Sequence, residues 1–346
     1  MMKKLRIRIF GRRVIKTALA VFLTSLICQW IGWPAVFAVI TAIVTIEPTV
    51  ASSIKKGIIR FPASAIGSFY AVIFIYFFGN SPITYTLAAL FTIITCFRLG
   101  LNAGLLVATL TSVAMIEVIH SNLLISFLIR LGTTTIGLLV STLVNMFVLP
   151  PNYTKKISSN FEVLLKQTGE ALGMVTKILI QNNNNNTFHR EDVDHRFQQL
   201  KVALDKTDEL LQYQADETKY HRLKEDTKKL FELEQINVAK LRLVHYHIGN
   251  LINTPVKSVC WSKQECEDII NMVNTLVDFM KFPDHYKANA YKQQVKKLME
   301  HFWKNNIPND KEYENLFSSE LIILYELLSI YNLTEEIIKN SPDIAK

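Results

Sequence analysis

Apolar side chains are arranged in two ways along this chain. Up to Leu149 they form six long runs separated by short polar or glycine–proline breaks; beyond Pro151 they recur every three or four positions among charged residues. The first arrangement predicts membrane helices at about 14–33, 34–46, 57–79, 82–97, 101–119 and 123–149, since roughly 17–25 mainly apolar residues cross a hydrocarbon core. The run 34–46 is shorter than that, which fits either extension back through Trp30–Trp33 or neighbouring protein shielding its ends. Asn80-Ser81-Pro82 is a tight turn signal. Gly100 and Gly104 stand at the spacing that lets two helix backbones approach closely. The run from Val14 to Trp33 is longer than the apolar core of a secretory signal and lacks a small-residue cleavage site, so it reads as a membrane helix.

The second arrangement predicts amphipathic helices. Phe161/Leu164/Leu165/Leu172/Val175, Phe197/Leu200/Leu204/Leu211 and Leu230/Leu233/Ile236/Leu241/Val244 share this spacing, as do Ile269/Ile270/Val273/Leu276/Val277 and Leu316/Leu321/Ile322/Tyr325/Leu328. Breaks fall at 182–186, 253–255, 282–284 and 307–309. The expected fold class is therefore all-α: a six-span helical membrane domain over 1–151, then an antiparallel helical cytoplasmic bundle over 152–346, without strands.

Charge refines this division. The chain has 346 residues and a formal net charge of +8. Twelve of its 38 basic residues but only two of its 30 acidic ones precede Pro151, so the remainder carries a nearly balanced 26 and 28. The excess positive charge belongs to the apolar half, which argues for membrane orientation and against a nucleic-acid partner. Residues 2–13, the Lys55-Lys56 loop, Arg98 and Lys155-Lys156 are basic, while the connections around Gly32, Asn80 and Ser121 hold no Lys or Arg. The positive-inside rule places both termini of this multi-pass membrane protein in the cytoplasm. Cys28, Cys96, Cys260 and Cys266 form no CxxC pair and suggest reduced thiols rather than disulfides or a metal site.

A duplication lies inside the apolar half. Ile46-Glu47, twelve residues and Arg60-x-x-x-Ser64-x-Ile66-Gly67 are followed, 70 residues on, by Ile116-Glu117, twelve residues and Arg130-x-x-x-Thr134-x-Ile136-Gly137. Glu47 and Glu117 are the only acidic residues before Pro151, so coincidence at both charged positions is improbable. A three-span unit used twice must point in opposite directions across the membrane, which predicts inverted three-span repeats of the kind many transporters use.

Catalysis finds little support: no Gly-rich phosphate loop, GxSxG elbow or HExxH occurs. His245 and His247 stand two apart and face different ways on a helix. No catalytic residue, metal site or cofactor is expected. A guanidinium within a membrane span is costly and usually faces protein or a water-filled path. Arg60 and Arg130 are accordingly candidates for an anion pathway, the alternative being that each snorkels to an interface or locks to a carboxylate. Glu47 and Glu117 are possible charge partners or proton sites. Ser64, Gly67, Thr134 and Gly137 allow close backbone approach, which serves helix packing or a substrate path equally well. Lys16 reads as an interface anchor.

These residues also resemble a family. Pro34-x-x-Phe37-Ala38-x-Ile40, the Glu47-Pro48-Thr49 ending, Lys55-Lys56-Gly57-x-x-Arg60 and six spans before a helical cytoplasmic region look like the bacterial aromatic acid exporter family. That family is related to the fusaric acid resistance proteins and, more distantly, to plant aluminium-activated malate transporters. The resemblance implies export or channelling of small organic anions, aromatic ones among them, by a homodimer in the lipid bilayer, with basic residues matching Arg60 and Arg130 along the path. The cytoplasmic region would serve assembly or gating. The competing reading is a membrane-anchored regulatory or scaffold protein whose cytoplasmic bundle binds a partner; duplicated intramembrane charges favour transport over it.

Overall fold

Short polar side chains set the helix ends in the first half of the chain. Thr49 and Ser81 stand before the helices Val50–Phe78 and Pro82–Arg98 and accept the amides of Ser52 and Thr84, satisfying donors that have no partner within the helix. Gly32, at φ +81°, closes the helix Arg12–Ile31 in the left-handed conformation that costs a residue without Cβ little. The structure, a computed structural model, describes residues 11–118, 122–181, 187–254, 261–285, 292–293, 295–296, 299–300 and 319–340.

Among the described residues the chain is helical with no strand. α1 is Arg12–Ile31, α2 Ala35–Thr45, α3 Val50–Phe78, α4 Pro82–Arg98, α5 Asn102–Val118 and α6 Leu123–Phe147. Then come α7 Thr154–Gln181, α8 Thr187–Thr218, α9 Glu225–Asn253, α10 Lys263–Lys281, a 3-10 turn Pro283–His285, and α11 Ser319–Lys339. α1, α3 and α6 are long and apolar enough to cross a membrane; α2, α4 and α5 are shorter apolar helices. One expectation is corrected here. Lys55 and Lys56 lie on the second turn of α3 and not in a loop, because the Thr49 cap starts the helix before them. The breaks expected at 182–186 and 307–309, and Cys260, lie outside the described residues.

The chain divides into two units. The first comprises residues 1–152 together with Tyr213–Arg222; the second is Tyr153–Gln212 with Leu223–Lys346. In the first unit the usual distribution of polarity is reversed. Trp30, Tyr76, Phe97, Leu124 and Phe147 are exposed, whereas Thr41, Thr45, Ser53, Ser64, Ser68, Thr111, Ser112, Thr134 and Ser141 are buried. Hydrocarbon outside and small hydroxyls between helices suit a lipid solvent, where helices associate by close packing and polar contacts rather than by hiding apolar surface. Most of these hydroxyls bond to carbonyls of their own helix, as Thr41 does to Phe37 and Ser141 to Gly137.

The helices of this unit exchange partners. α3 packs on α4, α5 and α6, with little contact to α2, while α6 packs on α1, α2 and α3. Two glycines let a neighbouring helix backbone approach closely. A Cβ on Gly67 would lie 2.6 Å from the Ala108 carbonyl oxygen, and one on Gly137 only 2.4 Å from that of Ala38. A Cβ on Gly104 would lie 2.5 Å from the Ala63 Cβ.

In the second unit α9 packs on α7 and α11, and α10 on α7. Lys240–Glu336 and His247–Glu326 contacts show α9 and α11 running in opposite directions. Ser262 and Glu265 form a reciprocal capping box at the start of α10. On α9, His245 stacks on Phe197 with ring centroids 3.9 Å apart, and its Nε2 lies 3.1 Å from the Phe197 carbonyl. Burial holds this imidazole below its ordinary 6.5, the nearby Arg242 and Lys201 push the same way, and the carbonyl opposes them. The neutral ring is thus the folded form. Its contribution to stability is complete above pH 6.5 and is lost as pH falls from there through the lower folded value. Thermal melts of the detergent-solubilised chain, followed by circular dichroism, are expected to show a falling midpoint between about pH 7 and about pH 5. His245→Gln should flatten that slope; an unchanged slope would assign it to carboxylates instead.

Candidate functional site

Polar chemistry inside the first unit gathers at two places. The first lies where α2 ends and α3 begins. Arg60, on α3, sends Nη2 to Glu47 Oε1 at 2.9 Å, Nη1 to the Val44 carbonyl at 3.1 Å and Nε to that of Ala103 at 3.2 Å. Lys56 Nζ holds the other Glu47 oxygen at 2.9 Å. Glu47 is thus gripped by two cations, and Arg60 has an acceptor for each of its nitrogens.

Asn145 of α6 ties this corner to α1. Its Nδ2 reaches the carbonyls of Glu47 and Thr49 and the Ser53 hydroxyl, the last at 2.8 Å. Its Oδ1 and main-chain carbonyl accept from Lys16 Nζ at 2.8 and 3.1 Å. Lys16 is buried there. The end of α8 and the turn after it complete the corner. Glu217 Oε2 accepts from Val50 N at 3.1 Å, placing a carboxylate at the positive end of α3. The ring of His221 bridges Glu217 Oε1, at 2.7 Å, and the Met146 carbonyl, at 2.8 Å.

The second place surrounds Arg130, which is 1% exposed and among the largest fully buried side chains. It reaches forward along α6: Nη1 donates to Thr134 Oγ1 at 2.6 Å and Nη2 crosses to Ser64 Oγ at 2.9 Å. Its guanidinium carbon lies 4.6 Å from the centre of the Phe37 ring. Nε has no partner. The two hydroxyls are 3.3 Å apart, and Thr134 and Thr133 donate theirs to the Arg130 carbonyl. No carboxylate among the described residues lies within ion-pair distance of Arg130. Glu117 is exposed and accepts from the Tyr85 hydroxyl instead.

The duplicated residues therefore separate into two kinds. Glu47 and Arg60 are paired; Glu117 and Arg130 are not. Ser64 and Thr134 meet each other, and Gly67 and Gly137 press on Ala108 and Ala38, all three pairs related by the 70-residue offset of the sequence. Phe37, Asn145, Glu217 and His221 entered the sequence reading without a role at this site. Asn145 carried a signal, as an amide inside an otherwise apolar run. Glu217 and His221 carried none, since they come from a distant amphipathic stretch.

The electrostatic consequence is specific. At the Arg60 corner, Lys16, Lys56 and Arg60 face Glu47 and Glu217. Arg130 faces two hydroxyls and an aromatic ring. Removing an ion from water costs several kcal/mol even after relaxation, and hydroxyls and a cation–π contact return only part of it. The charge of Arg130 is therefore left without a counter-ion among the described residues. Among the described residues no cluster of three or more His, Cys, Asp or Glu side chains is placed to hold a metal ion.

Residues 8–148 match the family model described as aromatic acid exporter family member 1. The chain is also similar over nearly its whole length to UPF0421 proteins. It is 46% identical to one from Oceanobacillus iheyensis over 94% of both chains. One from Bacillus cereus is 42% identical over 95% of this chain and 93% of its own, and one from Staphylococcus haemolyticus 39% identical over 94% and 98%.

Proposed function

Because the chain belongs to the UPF0421 proteins and, through residues 8–148, to the aromatic acid exporter family, we propose that it is a bacterial plasma-membrane exporter of small organic anions. The observation that carries this reading is Arg130, a buried guanidinium with hydroxyl partners and no carboxylate among the described residues. A carboxylate arriving there gains charge-assisted bonds that a neutral molecule cannot make. Phe37, stacked on the same guanidinium, offers an apolar face to an aromatic substituent. Arg60 stands nearer the other mouth of the path and is already neutralised by Glu47.

The membrane unit is read as six spans with both termini cytoplasmic. α1–α3 and α4–α6 form two inverted repeats that have exchanged their third helices. The 70-residue offset in sequence, the crossed packing of α3 and α6, and the Ser64–Thr134 contact support that reading. Homodimerisation and assembly or gating by an antiparallel cytoplasmic bundle complete the proposal.

Efflux of a labelled aromatic carboxylate from preloaded cells overproducing the protein tests it. Loss of label clearly faster than in cells carrying the empty vector is expected. Equal rates for every organic anion tried would overturn the reading.

A further inference from the structure

The two arginines of the duplication use different addresses. Arg60 reaches back to Glu47, thirteen residues before it. Arg130 reaches forward to Thr134, four residues after it. Each has the other option in its own sequence: Ser64 is four residues after Arg60, and Glu117 thirteen before Arg130. The forward address is shared. Ser64 Oγ and Thr134 Oγ1 lie 3.3 Å apart, and both accept from the one guanidinium of Arg130. A second guanidinium in that seat would add like charge a few ångströms away in a medium of low dielectric constant. The seat holds one arginine at a time.

We infer that the Ser64–Thr134 hydroxyl pair is the contested centre of a two-state switch. In the described state Arg130 occupies the seat and Arg60 is locked to Glu47; in the other, Arg60 occupies the seat and Arg130 is locked to Glu117. The Glu–Arg pair that closes alternates between the two ends of the duplication. The inference rests on the repeat reading above and requires no particular substrate.

Three features fit. Arg130 leaves Nε without a partner in the forward address, whereas Arg60 in the backward address has a partner for every nitrogen. Glu117 is exposed and held by a single tyrosine hydroxyl, so it can be released. The copies also differ where it matters for resting preference. Lys56, which grips Glu47, corresponds to the uncharged Ser126, and Tyr85, which holds Glu117, corresponds to Ile15. The Glu47–Arg60 lock is the better supported one, so the described state is the resting one and the other a minority that a ligand or mutation can raise.

Hydrogen exchange of the full chain in lipid nanodiscs, read by mass spectrometry without substrate, tests this separately from efflux. Glu117→Gln removes the backward address of Arg130 and should slow exchange in residues 44–60, at the opposite end of the duplication. Glu47→Gln frees Arg60 to contest the seat. It should speed exchange in 44–60 by roughly tenfold or more, the scale of one lost charge-assisted bond, and slow it in 122–134. Faster exchange at 44–60 with no change at 122–134 would make the pair a local brace and overturn the switch. So would Glu117→Gln with no effect on 44–60; since Glu117 is exposed, that variant keeps its fold and decides the matter alone. Loss of efflux with the reciprocal pattern intact would count against the anion reading and leave the switch standing.

Discussion

Arg130→Gln is expected to lose export of an aromatic carboxylate by roughly tenfold to a hundredfold, the scale of one or two charge-assisted bonds, with the protein at wild-type abundance in the membrane. The two halves of that result have one cause. Arg130 is buried against Ser64, Thr134 and Phe37, with no carboxylate beside it among the described residues. Its charge therefore costs stability in the ligand-free protein, and glutamine relieves that cost while retaining an amide donor for the hydroxyls. Arg130→Lys keeps the charge but loses the fork that spans both hydroxyls, and should fall between. Arg60→Gln should behave differently. It leaves the partly buried Glu47 with only Lys56, which costs about 1–3 kcal/mol and should appear as reduced abundance. Efflux rates divided by membrane level, measured by quantitative blotting, separate the two. Export by Arg130→Gln at the wild-type rate would make that arginine structural.

The second large effect is on assembly. A Cβ at Gly137 would stand 2.4 Å from the Ala38 carbonyl oxygen and 2.9 Å from Thr41 Cβ. The nearer atom is backbone, so no side chain can swing aside and α6 must move away from α2. Ala38 follows Phe37, so the same movement draws the ring away from Arg130. Overpacking of this kind costs about 1–3 kcal/mol, and alanine's better helix propensity returns at most about 1 kcal/mol. Gly137→Ala should lower the melting midpoint in detergent by about 5 °C, with a matching loss of monodisperse protein. Gly57→Ala is the control: its Cβ would meet Leu138 at an ordinary 3.6 Å, so the midpoint should hold or rise slightly. Equal shifts for the two would remove the close approach at Gly137 as the cause.

Much of the fold was legible because its signals are local. A run such as 57–79 or 123–149 has too little polar surface to be anything but a buried or lipid-facing helix, and the 3.6-residue period around Leu241 and Val244 is a property of a dozen neighbouring residues. The duplication was equally legible, and it identified the residues that later met: Ser64 with Thr134, and the glycines that press on α2 and α5. Lys55 and Lys56 were misplaced because hydropathy marks where an apolar run begins, whereas a helix begins at its cap, here Thr49.

The sequence by itself determined an all-helical chain, its change of character near Pro151, its family resemblance and two copies of one Glu–Arg pattern. Those rest on composition and spacing, which survive without knowing what touches what. Only the tertiary structure decided that the copies are unlike. Read along the chain, Glu47 stands to Arg60 as Glu117 stands to Arg130. In space the first pair closes and the second does not, because Lys56 and the Val44 and Ala103 carbonyls converge on one while Tyr85 and Ser64 draw the other apart. It also decided that Lys16 turns inward to Asn145 and that Glu217, 167 residues further along the chain, accepts the first amide of α3. A charge finds its partner by distance through the folded chain and by the desolvation it must offset there, and neither quantity is a function of sequence separation.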